Sequence, residues 1–236
     1  MKIALAQIRS KGGDIAGNMA RHKSWIAEAA EQEAQLIVFP ELSITGYEPR
    51  LANVLAVYPD TPLLDDFQDI SNAGQITIAL GMPTRSDQGL HISMFVFQPY
   101  QQRRIYSKQY LHEDELPFFT PGEGQLWLRF PDAVVAPAIC YESLLPEHAA
   151  AAVAGGAQMY IAGVAKSAKG IAKAYTHYPA IARQYGMPVC MVNSIGPNDD
   201  FTCAGQSAVW DRDGNLVKQL GEKEEGVLVY NTSDKS

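Results

Sequence analysis

Cysteine is scarce in this chain: three among 236 residues, at positions 140, 190 and 203, with no C-x-x-C pair. An odd and widely spaced set argues against a disulfide framework and a structural zinc site, and leads us to expect a reducing cytoplasm. Positive charge is in deficit too. Nineteen Lys and Arg against 26 Asp and Glu leave a net charge of −7, so no broad attraction to nucleic-acid phosphates or an anionic membrane surface is expected. Long apolar runs are missing. The longest weakly apolar stretch, Ala149 to Ala165, is interrupted by Gly155, Gly156 and Gln158, and Gln7 and Arg9 break the start before a signal-peptide core develops, so neither membrane nor export is expected. There is no G-x-G-x-x-G, no H-E-x-x-H and no completed G-x-S-x-G, and Gly163-Val-Ala-Lys166-Ser167 has Ala165 where a phosphate loop needs glycine. The five histidines are scattered, and His148 and His177 are expected on helix surfaces.

What is present is a globular balance, 47% apolar and 19% charged. Short β-rich runs alternate with helical patterns from end to end. Lys2 to Arg9, Gln35 to Pro40, Gln75 to Met82, His91 to Gln98, Arg103 to Ser107, Leu126 to Phe130, Ala133 to Ile139, Ala157 to Ile161 and Pro188 to Asn193 suit strands. A closing meander runs over Gln206 to Trp210, Leu216 to Gln219 and Val227 to Tyr230. Asn18 to Ala34, Thr61 to Ala73, Leu145 to Ala154 and Ala168 to Tyr185 suit helices. About twelve strands with four helices exceed what one doubly wound sheet normally holds, so the expectation is α/β with two stacked sheets and helices outside.

Three positions could carry chemistry. Cys140 ends the apolar strand Ala133 to Ile139 and leads into a helix, where free backbone N–H groups and the helix dipole would favour a thiolate nucleophile; a small buried hydrophobe is the equal alternative. Glu41 follows the buried strand closed by Pro40, at a strand end where it could share a rim with Cys140. Lys108 follows Arg103 to Ser107, again at a strand end, between Tyr106 and Tyr110. Taken singly, Glu41 and Lys108 would each pass for an ordinary solvated charge.

Taken together they form a pattern. Phe39-Pro-Glu41-Leu-Ser-Ile-Thr-Gly-Tyr47, Tyr106-Ser-Lys108-Gln-Tyr-Leu111 and Ile139-Cys140-Tyr-Glu142-Ser-Leu-Leu-Pro-Glu147 resemble, in order and spacing, the three motifs of the nitrilase superfamily of carbon–nitrogen hydrolases. Phe119-Thr-Pro-Gly122, Gly186-Met-Pro-Val189 with Asn193, and Gly205-Gln-Ser207 with Asp213-Gly214 are similar to later landmarks of that family. The resemblance implies a four-layer α-β-β-α sandwich of two mixed sheets, one domain over residues 1–236, and a Glu41-Lys108-Cys140 triad. It also implies a small-molecule amide, less often a nitrile, as substrate, no metal or organic cofactor, and a homodimer.

In that scheme Glu41 is the base, Cys140 the nucleophile, and Lys108 with the Tyr141 N–H the oxyanion donors, while Glu142 supports the site. A second family glutamate ahead of the Phe119 segment matches Glu115, with Glu113 as a competitor. The sequence departs from the family after the strand at Ala157 to Ile161, where Ala162-Gly-Val-Ala-Lys166-Ser-Ala168 replaces a stretch that often carries an aromatic. Lys166 there could meet an acidic substrate, though a solvated lysine is the plainer expectation. A non-catalytic binding protein on the same fold, a nitrilase and an acyltransferase are the competing functions.

Overall fold

The structure, a computed structural model, describes residues 1–233; the last three residues of the expected domain, 234–236, lie outside the described residues. Fourteen strands and five α-helices follow one another as β1 (Lys2–Gln7), α1 (Ile15–Glu31), β2 (Leu36–Val38), α2 (Ala52–Leu55), α3 (Asp65–Gly74), β3 (Thr77–Ser86), β4 (Gly89–Phe97), β5 (Arg104–Ser107), β6 (Leu128–Arg129), β7 (Val134–Ile139), α4 (Pro146–Ala154), β8 (Met159–Val164), α5 (Ala168–Tyr185), β9 (Val189–Asn193), β10 (Ile195–Asn198), β11 (Phe201–Ala204), β12 (Ala208–Trp210), β13 (Leu216–Gln219) and β14 (Gly226–Asn231).

Two six-stranded sheets carry the molecule. Their orders are β14-β1-β2-β3-β4-β5 and β13-β12-β9-β8-β7-β6. Each has a parallel centre, β1-β2-β3 in the first and β7-β8-β9 in the second, flanked by antiparallel strands. Strand alternation feeds two cores at once. Along β1, Ile3 and Leu5 turn inward to a cluster shared with Val135, Ile161 and Val192 of the second sheet. Ala4 and Ala6 turn outward, beneath Met19, Ile26 and Ala29 of α1 and Phe67 of α3. The second sheet repeats the device, with Ala136, Tyr160 and Val189 packed under Ala149 of α4 and Tyr178 of α5. Three apolar interlayers therefore separate four layers, the expected α-β-β-α sandwich.

The differences from expectation are local. The β10–β11 hairpin was not expected, because Gly196, Pro197 and Asn198 interrupt any strand alternation. Leu126 to Phe130 shrinks to the two residues of β6, and α2 is a single turn too short to show a period. His148 is the clearest correction: it is buried, because the hydroxyls of Tyr106 and Tyr160 meet its two ring nitrogens at 2.7 Å each.

Candidate active site

The direction of each strand determines what gathers at one edge of the sandwich. β5 runs parallel to β2 and β3, since β4 between them is antiparallel to both neighbours. The carboxyl ends of β2 and β5 in one sheet and of β7 and β8 in the other thus deliver Glu41, Lys108, Cys140 and Lys166. Strand carboxyl ends are the usual location of α/β ligand sites.

Glu41 sits on a sharp corner between the sheets. Two glycines make room for it: a Cβ on Gly81 would lie 2.3 Å from the Leu42 nitrogen, and one on Gly163 would lie 2.9 Å from the Phe39 oxygen. Leu42 completes the corner in a left-handed conformation, φ 50°. The Lys108 backbone is fixed by its N–H donating to Ile92 O at 2.8 Å and its carbonyl accepting from Gly122 N at 2.7 Å.

The Lys108 ammonium is fully buried and donates to Glu41 Oε1 at 2.8 Å and to Glu115 Oε1 at 2.7 Å. Burial alone would lower its pKa, but Glu41, Glu115 and Cys140 hold it above the ordinary lysine value. Glu115 Oε1 also accepts from the Tyr47 hydroxyl at 3.0 Å, and Oε2 accepts from His112 N at 2.7 Å. Glu113 is exposed. Of the two candidate glutamates, then, Glu115 is the one brought to Lys108.

Burial raises the Glu41 carboxyl above its usual range, with Lys108 pulling it back and Glu115 pushing it up again. Its Oε2 is buried and takes no hydrogen bond among the described residues. The Cys140 thiol is near enough for each group to shift the acidity of the other.

Cys140 opens a one-turn 3-10 helix, Cys140–Leu144, with φ at 47°. A non-glycine residue in that region costs on the order of 1 kcal/mol or more and needs support from its surroundings. Glu142 supplies it. Its Oε1 accepts from Ile139 N at 2.7 Å and from the Tyr106 hydroxyl at 2.6 Å, while Oε2 accepts from Gln109 N at 2.7 Å. Burial still lifts the Glu142 carboxyl to about 7 against those bonds. Ser143 Oγ donates to the Cys140 carbonyl.

Sγ of Cys140 lies 3.7 Å from Lys166 Nζ and 3.8 Å from Ala165 O. Burial and the Glu41 carboxylate push the thiol up to about 11, against the pull of Lys166 and Lys108. Desolvation thus works against the thiolate that the start of the short 3-10 helix would favour. Beside the thiol lies the Glu41 carboxyl with its free oxygen.

A residue set of this kind can perform nucleophilic chemistry. The family model described as "Carbon-nitrogen hydrolase" matches residues 2–234. The chain belongs to the carbon–nitrogen hydrolase family. It is a hydrolase acting on carbon–nitrogen bonds other than peptide bonds, within the nitrilase superfamily. It is 28% identical over 232 residues to an (R)-stereoselective amidase of Pseudomonas sp, covering 95% of this chain and 82% of that one. A solved structure of a mutant amidase from Nesterenkonia sp. AN1, with acrylamide joined by Michael addition at its active-site cysteine, superposes with a TM-score of 0.90 at 25% identity, over 98% of this chain and 92% of that one. A glutamine-dependent NAD(+) synthetase of Thermotoga maritima is 25% identical over 228 residues, covering 92% of this chain but only 39% of the synthetase.

In this carbon–nitrogen hydrolase Cys140 and Lys166 line a cavity of about 250 Å³, together with Tyr47, Tyr141, Phe201 and Glu115, the partner of the buried Lys108. That volume suits a small molecule. Tyr47 and Phe201 face each other edge-on at 5.5 Å, the hairpin β10–β11 having carried Phe201 across. Of the two expectations for Lys166, a group at the pocket rim and a solvated lysine, the second is corrected: it is 5% exposed, and its place directly after a buried strand, like that of Glu41, is the signal for burial. Phe201 gave none, since only the unexpected hairpin brings it to the cavity.

Proposed function

We propose that the chain hydrolyses a small amide to a carboxylic acid and ammonia through a thioester on Cys140. The observation that carries this reading is the Lys108 ammonium buried between Glu41 and Glu115, at 2.8 and 2.7 Å, at the edge where Cys140 also lies.

The free Oε2 of Glu41 takes the Sγ proton, both S–H electrons remain on sulfur, and that pair forms a bond to the amide carbon. The carbonyl π pair moves to oxygen, where the Lys108 ammonium and the Tyr141 N–H receive it, each such donor contributing about 3 kcal/mol at the transition state. On collapse the C–N bond breaks, Glu41 gives its proton to the nitrogen, and ammonia leaves a thioester. Water then loses a proton to Glu41 and attacks the same carbon; the C–S bond breaks and the proton returns to sulfur. Glu115 holds Lys108 in position, and Glu142 holds the Cys140 turn.

A carboxamide of the glutamine type is a second reading of the substrate, favoured by the similarity to the glutamine-dependent synthetase over 92% of this chain. Residues 1–236 are read as one catalytic domain, supported by the match over 2–234. The cytoplasm is the proposed compartment, in keeping with three free cysteines, and sedimentation of the purified chain tests the homodimer that the family resemblance implies.

Replacing Cys140 by Ala abolishes ammonia release from a panel of small amides while the fold survives, and mass spectrometry of the wild type finds the acyl group on Cys140. A wild type inert to amides, nitriles and esters alike overturns the reading.

A further inference from the structure

Lys166 is buried and its backbone is pinned on both sides. Its N–H donates to Asn193 Oδ1 at 2.8 Å, and its carbonyl accepts from Asn193 Nδ2 and from Ala204 N at 3.0 Å each. Asn193 is itself tied down, Nδ2 donating to Gly205 O at 2.9 Å and its N–H to Ser207 Oγ at 2.9 Å. The stem of Lys166 lies against the first turn of α5, where only a glycine fits easily: a Cβ on Gly170 would lie 3.1 Å from Lys166 Cβ and 3.4 Å from Cγ. This is a built position.

The ammonium at its end differs from that of Lys108. Lys108 has two carboxylates; Lys166 has none within ion-pair distance among the described residues, and the one hydrogen bond recorded for its Nζ goes to Cys140 Sγ. A buried ammonium without a counter-charge is costly. Its natural partner is the charge that the reaction creates on the sulfur 3.7 Å away.

We propose that Lys166 is a further catalytic residue, whose ammonium carries the negative charge of Cys140 Sγ from the moment Glu41 takes the proton until the bond to the substrate carbon has formed. The ammonium keeps its three protons throughout, and the sulfur pair passes into the S–C bond. Charges around the sulfur agree with this division of labour. Glu41 and Glu115 face the thiol and raise its pKa, while Lys166 and, after it, Lys108 lower it. Burial and Lys108 pull the Lys166 pKa down, but Cys140, Tyr178 and Glu41 around it hold it above the ordinary lysine value; the neighbouring His177 is lowered by burial and, after it, by Lys166. In the thioester the sulfur is uncharged, so Lys166 acts where the sulfur bears charge: as the nucleophile in acylation, and again as the leaving group when the C–S bond breaks and before its proton returns.

The inference rests on Cys140 being the nucleophile, and the experiment separates the two. Alkylation of Cys140 by iodoacetamide is followed by peptide mass spectrometry from neutral to alkaline pH in the wild type, Lys166→Met and Lys166→Arg. Loss of the ammonium moves the midpoint of the rate profile up by about one unit or more, and the rate at neutral pH falls about three- to tenfold, the smaller thiolate fraction being partly offset by its higher nucleophilicity. Lys166→Arg recovers part of both. With p-nitrophenyl acetate the acylation burst slows. Should Lys166→Met fail to fold, Lys166→Gln removes the same charge. A profile superimposable on that of the wild type overturns the proposal, as does a loss confined to carboxylate-bearing amides, which would make Lys166 a receptor for substrate charge. If Cys140→Ala still releases ammonia, the nucleophile assignment fails instead.

Discussion

The Tyr106 hydroxyl donates to Glu142 Oε1 at 2.6 Å, and this bond joins the strand that delivers Lys108 to the turn that delivers Cys140. It crosses from one sheet to the other between two buried residues, where a hydrogen-bond partner is hardest to replace. The same hydroxyl meets His148 Nε2 at 2.7 Å, so two buried polar groups depend on it.

Tyr106→Phe is therefore expected to lose about 1–3 kcal/mol of stability, the cost of leaving buried partners unsatisfied. Urea unfolding measures that loss. Because the variant loosens the alignment of Lys108 with Cys140, kcat should fall further than KM rises. An unchanged kcat would show that the bond serves folding alone.

Lys108→Met leaves Glu41 and Glu115 buried together without their cation. Breaking a buried ion pair from one side costs about 3–5 kcal/mol, and the missing oxyanion donor should lower kcat by a factor on the order of a hundred to a thousand. A like charge sharing the space, with no cation to pull against it, pushes the buried Glu41 carboxyl further up. The variant's stability deficit should therefore shrink as pH falls and Glu41 takes up a proton. Chemical denaturation at neutral and mildly acid pH tests that slope.

His22 is buried under Phe39, ring centroids 4.1 Å apart, and bonds Asn18 O and Ser43 Oγ. Burial lowers its pKa from 6.5 to about 4, helped by Arg21 and opposed by the Asn18 carbonyl. The unfolded chain then binds more protons than the folded one between those values, so the stability that His22 contributes is present above pH 6.5 and lost as pH falls toward about 4. The full span corresponds to about 3 kcal/mol. His148, also lowered to about 4, adds to this slope, while Glu142, raised to about 7, opposes it. His22→Gln should flatten the fall in melting temperature across that window. A slope identical to that of the wild type would assign the acid sensitivity elsewhere.

Gly81→Ala places a methyl group 2.3 Å from the Leu42 nitrogen, against backbone that cannot swing aside. Overpacking of this kind costs about 1–3 kcal/mol or more, and here the displaced segment carries Glu41. Activity should fall more steeply than stability, and thermal unfolding read beside ammonia release compares the two.

The parts of the fold that were legible from sequence are those governed by local rules. α5 falls on Ala168–Tyr185 as its helical pattern indicates, and the apolar runs before Glu41 and Cys140 become buried strands because nothing polar interrupts them. Lys108 and Glu41 stand out only through the motifs around them, since neither charge announces that it will be buried. Glu115 and Glu113 share a turn segment without periodicity, and only a fold that turns one toward Lys108 separates them. Lys166 and His148 were misjudged for a common reason. A polar residue enters a core when its partners wait there, and Cys140 in one case and Tyr106 and Tyr160 in the other lie 12 or more positions away in the chain.

The division of the site between the sheets has a kinetic corollary. Glu41 and Lys108 come from one half of the sandwich, the sheet that β14 joins from the far end of the chain, and Cys140 and Lys166 from the other half. Neither half alone holds both a sulfur and the base to activate it. During refolding, amide turnover at one thiol thus works as a built-in stopwatch, starting only when the two halves have docked face to face.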